Sequence, residues 1–166
     1  FNIAGPKSRE ILQRLSNQDL SNNKWPFMHS GQLSIAGVEC LALRISFSGD
    51  LGWEIYCDAE YQEIIYKTLI KASIIENGGP VGSRALMSLR IEKGYGRWSR
   101  EYSPEVWPHE SGLEKLCKLD KDFLNKRALV ENLKNEPRER LVLIKLDEQD
   151  CKKSNADATG GEPIFY

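Results

Sequence analysis

Ser46-Phe47-Ser48-Gly49-Asp50-Leu51-Gly52-Trp53-Glu54-Ile55-Tyr56-Cys57 decides the fold. Ser48 to Gly52 gathers the small and polar residues of a turn. Trp53 to Cys57 then reads as a strand, and a period of two sets Trp53, Ile55 and Cys57 on one face, with Glu54 and Tyr56 on the other. Upstream, Val38 to Ser46 is β-branched and apolar. Gln32 to Ile35 is a shorter strand that pauses at Ala36-Gly37, so the two predict a hairpin.

Outward from this strand-rich stretch the periodicity becomes helical. Gly5-Pro6-Lys7-Ser8-Arg9-Glu10 predicts the opening of a helix, with Pro6 suited to its first turn and Ile11, Leu12 and Leu15 on its apolar face. Residues 16–24 are polar and predict a loop. Asp58 is placed to cap a helix in which Tyr61, Ile64, Ile65, Leu69 and Ala72 recur at helical spacing, ended by Asn77-Gly78-Gly79-Pro80. A second helix is predicted over 83–91, with Ala85, Leu86 and Leu89 inward. Residues 94–112 read as irregular and carry Trp98 and Trp107. A short helix over 126–133, a strand over 140–146 and a polar loop over 147–162 follow, and Gly160-Gly161 reads as a turn entering another strand. This order is α+β, not βαβ repetition. A boundary near Asn135-Glu136-Pro137 divides 1–136 from 137–166, and thirty residues build no core alone, so a second domain is expected to begin there. The missing initiator Met and the abrupt end predict a piece of a longer polypeptide.

Composition removes several functions. Lys and Arg total 23 against 24 Asp and Glu, a net charge of −1, so no nucleic-acid partner is expected. No apolar run approaches the ~18 residues of a membrane span, and no signal peptide opens the chain, so neither a membrane nor secretion is expected. The four cysteines, Cys40, Cys57, Cys117 and Cys151, form no CxxC pair. With His29 and His109 standing alone, no metal site is expected. Cys40, Cys57 and Cys117 read as small buried apolar residues in a reducing compartment. Neither a phosphate loop nor a Ser/His/Asp order is present.

Two residues are locally odd. Glu54 occupies a strand, where Glu is depleted: either its face is solvated, or it is a carboxylate at a pocket edge able to accept two parallel N–H bonds from a planar heterocycle. Arg84 falls in the first turn of its helix, where the dipole disfavours a cation: either solvent screens it, or an anionic or polar ligand offsets it. Trp53, Trp98 and Trp107 serve either as packing or as stacking surfaces. The run Lys126, Arg127, Lys134, Arg138 and Arg140, balanced by Glu131, Glu136 and Glu139, reads as a solvated face.

Arg44-Ile45-Ser46-Phe47-Ser48-Gly49-Asp50-Leu51-Gly52-Trp53-Glu54-Ile55 resembles the R-x-S-[FY]-x-G-[ED]-x-G-[WY]-E signature of the folate-binding aminomethyltransferase family. That family includes the glycine cleavage T-protein and the C-terminal halves of dimethylglycine and sarcosine dehydrogenases. Asn2 to Arg9 resembles its GP-x-[SA]-R helix start, and Ser88 to Tyr95 its SLRLEKGY segment. Glu110 to Leu113 with Lys118 to Phe123 resembles EAGL…KLDK.DF.G, departing at Asn125, where Gly is usual; Asn tolerates the left-handed backbone nearly as well. The run Leu89 to Trp98, Ser103-Pro104-Glu105 and Lys24 to Met28 are more like the dehydrogenase branch, and Arg84-Ala85 replaces the T-protein's Arg-Asp.

The resemblance implies a T-protein-like fold, an antiparallel sheet with packed helices over 1–136, and the start of a C-terminal antiparallel β-barrel over 137–166. It implies tetrahydrofolate as the ligand, with Glu54 on the pterin, Arg84 contacting folate, and Phe47 and Trp53 beside them. It implies a one-carbon unit from an N-methyl amine, captured as 5,10-methylene-tetrahydrofolate. The family's catalytic Asp and the flavin (FAD) domain of the dehydrogenase branch would lie upstream, so no catalytic residue is expected here and the isolated piece is expected to be inactive. Partner domains or subunits, and a cytoplasmic or mitochondrial-matrix location, follow from the same resemblance. The alternatives are a stand-alone aminomethyltransferase, a transferase using a sulfonium methyl donor, and a non-catalytic folate-binding or regulatory homologue.

Overall fold

A computed structural model describes residues 1–154 of the chain. It divides into two compact units, Phe1–Arg97 and the chain from Trp98 onward.

The first unit is a four-stranded antiparallel sheet of order β1-β4-β3-β2, built from β1 (Asn2–Ala4), β2 (Ser30–Ile35), β3 (Val38–Leu43) and β4 (Gly52–Tyr56). The β2–β3 hairpin turns at Ala36-Gly37, both with positive φ (51° and 85°), the backbone that lets a two-residue turn follow the strand twist. One face of the sheet packs on α1 (Ser8–Leu15) and α2 (Gln62–Ile75). Ile3, Leu33, Cys40, Ala42, Trp53 and Ile55 point inward to meet Ile11, Leu12, Ile65 and Leu69. The alternation expected of 53–57 holds: Trp53 and Ile55 are buried, Cys57 packs against the core, and Tyr56 is exposed. The sheet's other face carries Leu41, Leu43, Glu54 and Tyr56 with no helix of this unit packed on it.

Several local expectations are corrected. Asn2–Ala4 is a strand, because Ile3 pairs with Trp53 and buries against it. Asp58 makes no side-chain cap; a short 3₁₀ turn over Ala59–Tyr61 leads into α2 instead, and Tyr61 and Ile64 stay exposed. In α3 (Ser83–Glu92) Ala85 and Leu89 are exposed and Arg90 is the buried residue. The Arg90 guanidinium donates to the Tyr95 carbonyl at 3.0 Å, so this helix is fixed at its C-terminal end, where the chain folds back.

In the second unit, a 3₁₀ turn (Glu114–Leu116) precedes α4 (Lys126–Asn132). Asn125 enters α4 with φ 66°, the left-handed backbone expected at that position. Arg138 is exposed, as expected of a solvated face, and from there it reaches in to grip buried Glu110 with Nε at 2.9 Å and Nη2 at 2.8 Å. Glu110 also accepts from the Trp107 and Arg138 amides, at 2.8 and 3.1 Å. Residues 140–146 form no strand. Among the described residues no strand pairs with them; the Leu141 amide donates to the Glu110 carbonyl at 2.8 Å instead, and Leu141, Val142, Leu143 and Ile144 lie exposed. Within the expected polar loop, Glu148–Ser154 forms α5; Asp147 accepts from the Gln149 amide, and Lys152 and Lys153 complement the dipole at its last turn. The expected turn at Gly160-Gly161 lies outside the described residues. Among the described residues no helix is long and apolar enough to cross a membrane.

Candidate functional site

Three stretches singled out in the sequence converge on the turn that enters β4. Ser8 Oγ donates to the carbonyls of Gly5 (2.7 Å) and Leu51 (2.9 Å), and Gly5 N donates to Leu51 O (2.8 Å), which ties the start of α1 to the turn. Inside the turn, buried Ser48 shares a hydrogen bond with Ser46 at 3.0 Å. The chain beyond α3 closes on it: Lys93 pairs with Asp50 at 3.1 Å, and the Tyr95 ring covers Gly49. Gly49 has φ 77°, and a Cβ there would lie 2.6 Å from the Tyr95 ring. Gly52 is excluded from substitution by backbone, since its Cβ would meet Ile3 O at 2.8 Å.

This frame presents Glu54. β4 turns its carboxylate to the open face of the sheet, half-buried, opposite Leu43 on β3 and Asn2 on β1. Tyr56, two residues on and so on the same face, donates its hydroxyl to Glu54 Oε2 at 2.6 Å. That bond holds the Tyr56 phenol above its ordinary pKa, the carboxylate's charge adding to it. Among the described residues no donor reaches Oε1, so the carboxylate keeps free acceptor capacity beside the apolar surface of Leu41 and Leu43. Tyr56 was the residue the sequence reading left out; its position at i+2 from Glu54 was the available signal.

The other expected site residues are placed differently. Trp53 lies on the opposite face of β4, fully buried in the core. The Arg9 and Arg44 guanidinium groups lie over its ring, 5.2 and 5.9 Å from the centroid. Arg9 also bonds the Leu20 carbonyl, and Arg44 Nη1 donates to Trp25 O at 2.6 Å. Phe47 is half-buried in the turn before β4. Arg84 is exposed in the first turn of α3, while Lys93 and Tyr95, which contact the turn, lie past that helix's other end. Glu54 and Tyr56 therefore form one polar pair on the open face, and Trp53 supports their strand from beneath.

A two-layer α+β unit with this turn defines a recognisable class. Residues 1–121 match the family described as the GCVT N-terminal domain, and the chain belongs to it. The chain is 35% identical over 166 residues to the mitochondrial dimethylglycine dehydrogenase of Mus musculus, covering 99% of this chain and 18% of that protein. It is 37% identical over 151 residues to the mitochondrial sarcosine dehydrogenase of Homo sapiens, covering 90% of this chain and 16% of that protein. An aminomethyltransferase of Caldanaerobacter subterraneus is 36% identical over 141 residues, covering 84% of this chain and 37% of that protein. The chain thus spans less than two fifths of the length of each of these relatives.

Proposed function

We propose that this chain is the tetrahydrofolate-binding, one-carbon-accepting part of a dimethylglycine or sarcosine dehydrogenase-like enzyme, with 5,10-methylene-tetrahydrofolate as the product. The observation that carries the reading is the half-buried Glu54 carboxylate, held by Tyr56 on the open sheet face with acceptor capacity to spare. A planar ring bearing adjacent N–H donors fits it: the carboxylate accepts a pair of parallel bonds, and Leu41, Leu43 and Tyr56 offer surface to the ring. In this reading Arg84 meets the folate's polar groups as a guanidinium fork, Phe47 lies near the pterin, and Trp53 fixes the strand from the core. The chain's residues bind and orient the acceptor, and a closed site around it excludes water that would release the one-carbon unit. The one-carbon donor is an N-methyl amine, oxidised at a flavin carried elsewhere in the parent enzyme. The relatives named mitochondrial support a mitochondrial location.

The same reading takes 1–136 as part of the folate-binding domain and 137–166 as the start of a C-terminal β-barrel. The exposed aliphatic run at 141–146, suited to a strand that finds its partner in a larger assembly, supports this. A stand-alone aminomethyltransferase is the second reading, favoured by the comparable identity to the bacterial enzyme; a flavin bound by the parent protein separates the two.

Titration of the parent protein with tetrahydrofolate, by calorimetry, tests the site. Glu54→Gln keeps the shape but exchanges an acceptor for a donor, so affinity falls by about 1–3 kcal/mol. Equal affinity in parent and variant removes Glu54 from the site, and no binding to the parent favours a regulatory homologue.

A further inference from the structure

We propose that Cys40 and Cys57 form a cross-strand thiol pair that closes reversibly to a disulfide when exposed to a low-molecular-weight disulfide. The ladder between β3 and β4 pairs Leu43 with Glu54, Ala42 with Ile55 and Leu41 with Tyr56. Continued by one residue past Tyr56, the end of β4, that register sets Cys40 opposite Cys57.

The phase of the hydrogen bonds makes this step favourable. Ile55 N donates to Phe1 O at 2.8 Å, and the Phe1 ammonium donates to Ile55 O at 2.6 Å. Ile55 therefore turns its backbone groups away from β3, and its neighbours Glu54 and Tyr56 turn theirs toward it. Ala42 with Ile55, and Cys40 with Cys57, are then non-hydrogen-bonded pairs, in which Cα atoms approach to about 4.5 Å and side chains lie closest. A disulfide spans Cα separations of roughly 4.4–6.8 Å. Both side chains lie on the inner face: Cys40 is 1% exposed, and half-buried Cys57 packs against the same core. Cys40 Sγ makes a weak bond to Val38 O at 3.6 Å, which a rotation releases. Burial first, then the neighbouring Cys57, pushes the Cys40 thiol up to about 11, and the more exposed Cys57 is the one an outside disulfide reaches first.

The exchange balances with glutathione disulfide as oxidant. The Cys57 thiolate attacks one glutathione sulfur; that S–S bond breaks and a glutathione thiolate leaves. Cys40 loses its proton and attacks the Cys57 sulfur, and the second glutathione leaves as thiolate. Two protein thiols become one disulfide, and one glutathione disulfide becomes two glutathiones. The closed bond staples the base of the loop that contains the β4 turn and Glu54. It does not depend on what binds the open face.

The chain is incubated with glutathione disulfide, alkylated, digested with trypsin and mapped by mass spectrometry. The expected product is lighter by two hydrogen atoms, links peptides 25–44 and 45–67, and returns to free thiols with dithiothreitol. In Cys40→Ala, Cys57 keeps a glutathionyl group that the unaltered chain sheds; if that variant does not fold, the map of the unaltered chain decides. A Cys57 that remains glutathionylated beside an alkylated Cys40, a Cys57 that does not react, or a link to Cys117 or Cys151 overturns the proposal.

Discussion

Gly49→Ala probes the turn that presents β4, and its cost divides into two parts. At φ 77° an alanine pays for left-handed backbone, about 1–2 kcal/mol, less about 0.4–1 kcal/mol from a stiffer unfolded chain, so the backbone part is about 1 kcal/mol. The second part is the Tyr95 ring, which the new Cβ would approach to 2.6 Å and must displace. Tyr95 is 49% exposed, so the ring can swing into water and forfeits about half of a buried aromatic's contribution, roughly 1 kcal/mol. Gly49→Ala in the unaltered chain therefore costs about 2 kcal/mol. In a Tyr95→Ala background there is no ring to displace, and the cost falls to about 1 kcal/mol. Urea unfolding of the four proteins in the cycle, followed by far-ultraviolet circular dichroism, gives the coupling directly. Equal costs in both backgrounds would falsify the contact between the Gly49 turn and the chain beyond α3. A total near zero would refute the left-handed turn itself.

Two further outcomes follow from the same structure. Glu110 is held at about 2, chiefly by the Arg138 guanidinium, against an ordinary 4.5. A depressed carboxyl contributes stability above its unfolded value and loses it as pH falls through the folded one, so the Trp107 and Arg138 amides should lose hydrogen-exchange protection between about 4.5 and about 2. Protection that is flat across that window removes the assigned cause. Ala36 holds φ 51° in the β2–β3 turn, a left-handed position that asparagine occupies more readily, so Ala36→Asn should raise stability by about 0.5–1 kcal/mol in urea unfolding; a loss of stability contradicts the turn geometry.

What the sequence disclosed depended on whether one face of an element is buried. β4 was legible because Trp53 and Ile55 enter the core while Glu54 and Tyr56 do not, and that difference is written at period two. β1 was hidden because three residues are too few to carry a period; Ile3 becomes strand only through Trp53 across the ladder. α3 was found in extent but misread in orientation, since Ala85 and Leu89 look inward by spacing while the helix is anchored through Arg90. The Glu110–Arg138 pair spans 28 residues, and no local pattern predicts an ion pair at that separation. Glu54 was visible as an anomaly, whereas Tyr56, an ordinary strand residue, gave no such sign.

The placement of Trp53 and Glu54 on opposite faces of one strand separates residues that the fold explains from one it does not. Packing accounts for Trp53: it is fully buried, with guanidinium groups over its ring. Close approach accounts for Gly49 and Gly52. Nothing in the packing asks for a carboxylate at 54, where the neighbours are Asn2, Leu43 and Tyr56 and a β-branched residue fits a strand better. Glu54→Thr should therefore leave stability unchanged or raise it by up to about 1 kcal/mol, since the gain in strand preference meets only the loss of one exposed bond to Tyr56. The same variant should lose tetrahydrofolate binding if the carboxylate is there for a ligand. A stability loss well beyond 1 kcal/mol would make Glu54 a structural residue and deprive the folate reading of the observation that carries it. Retained stability with lost binding would place the cost of a strand carboxylate on the side of function.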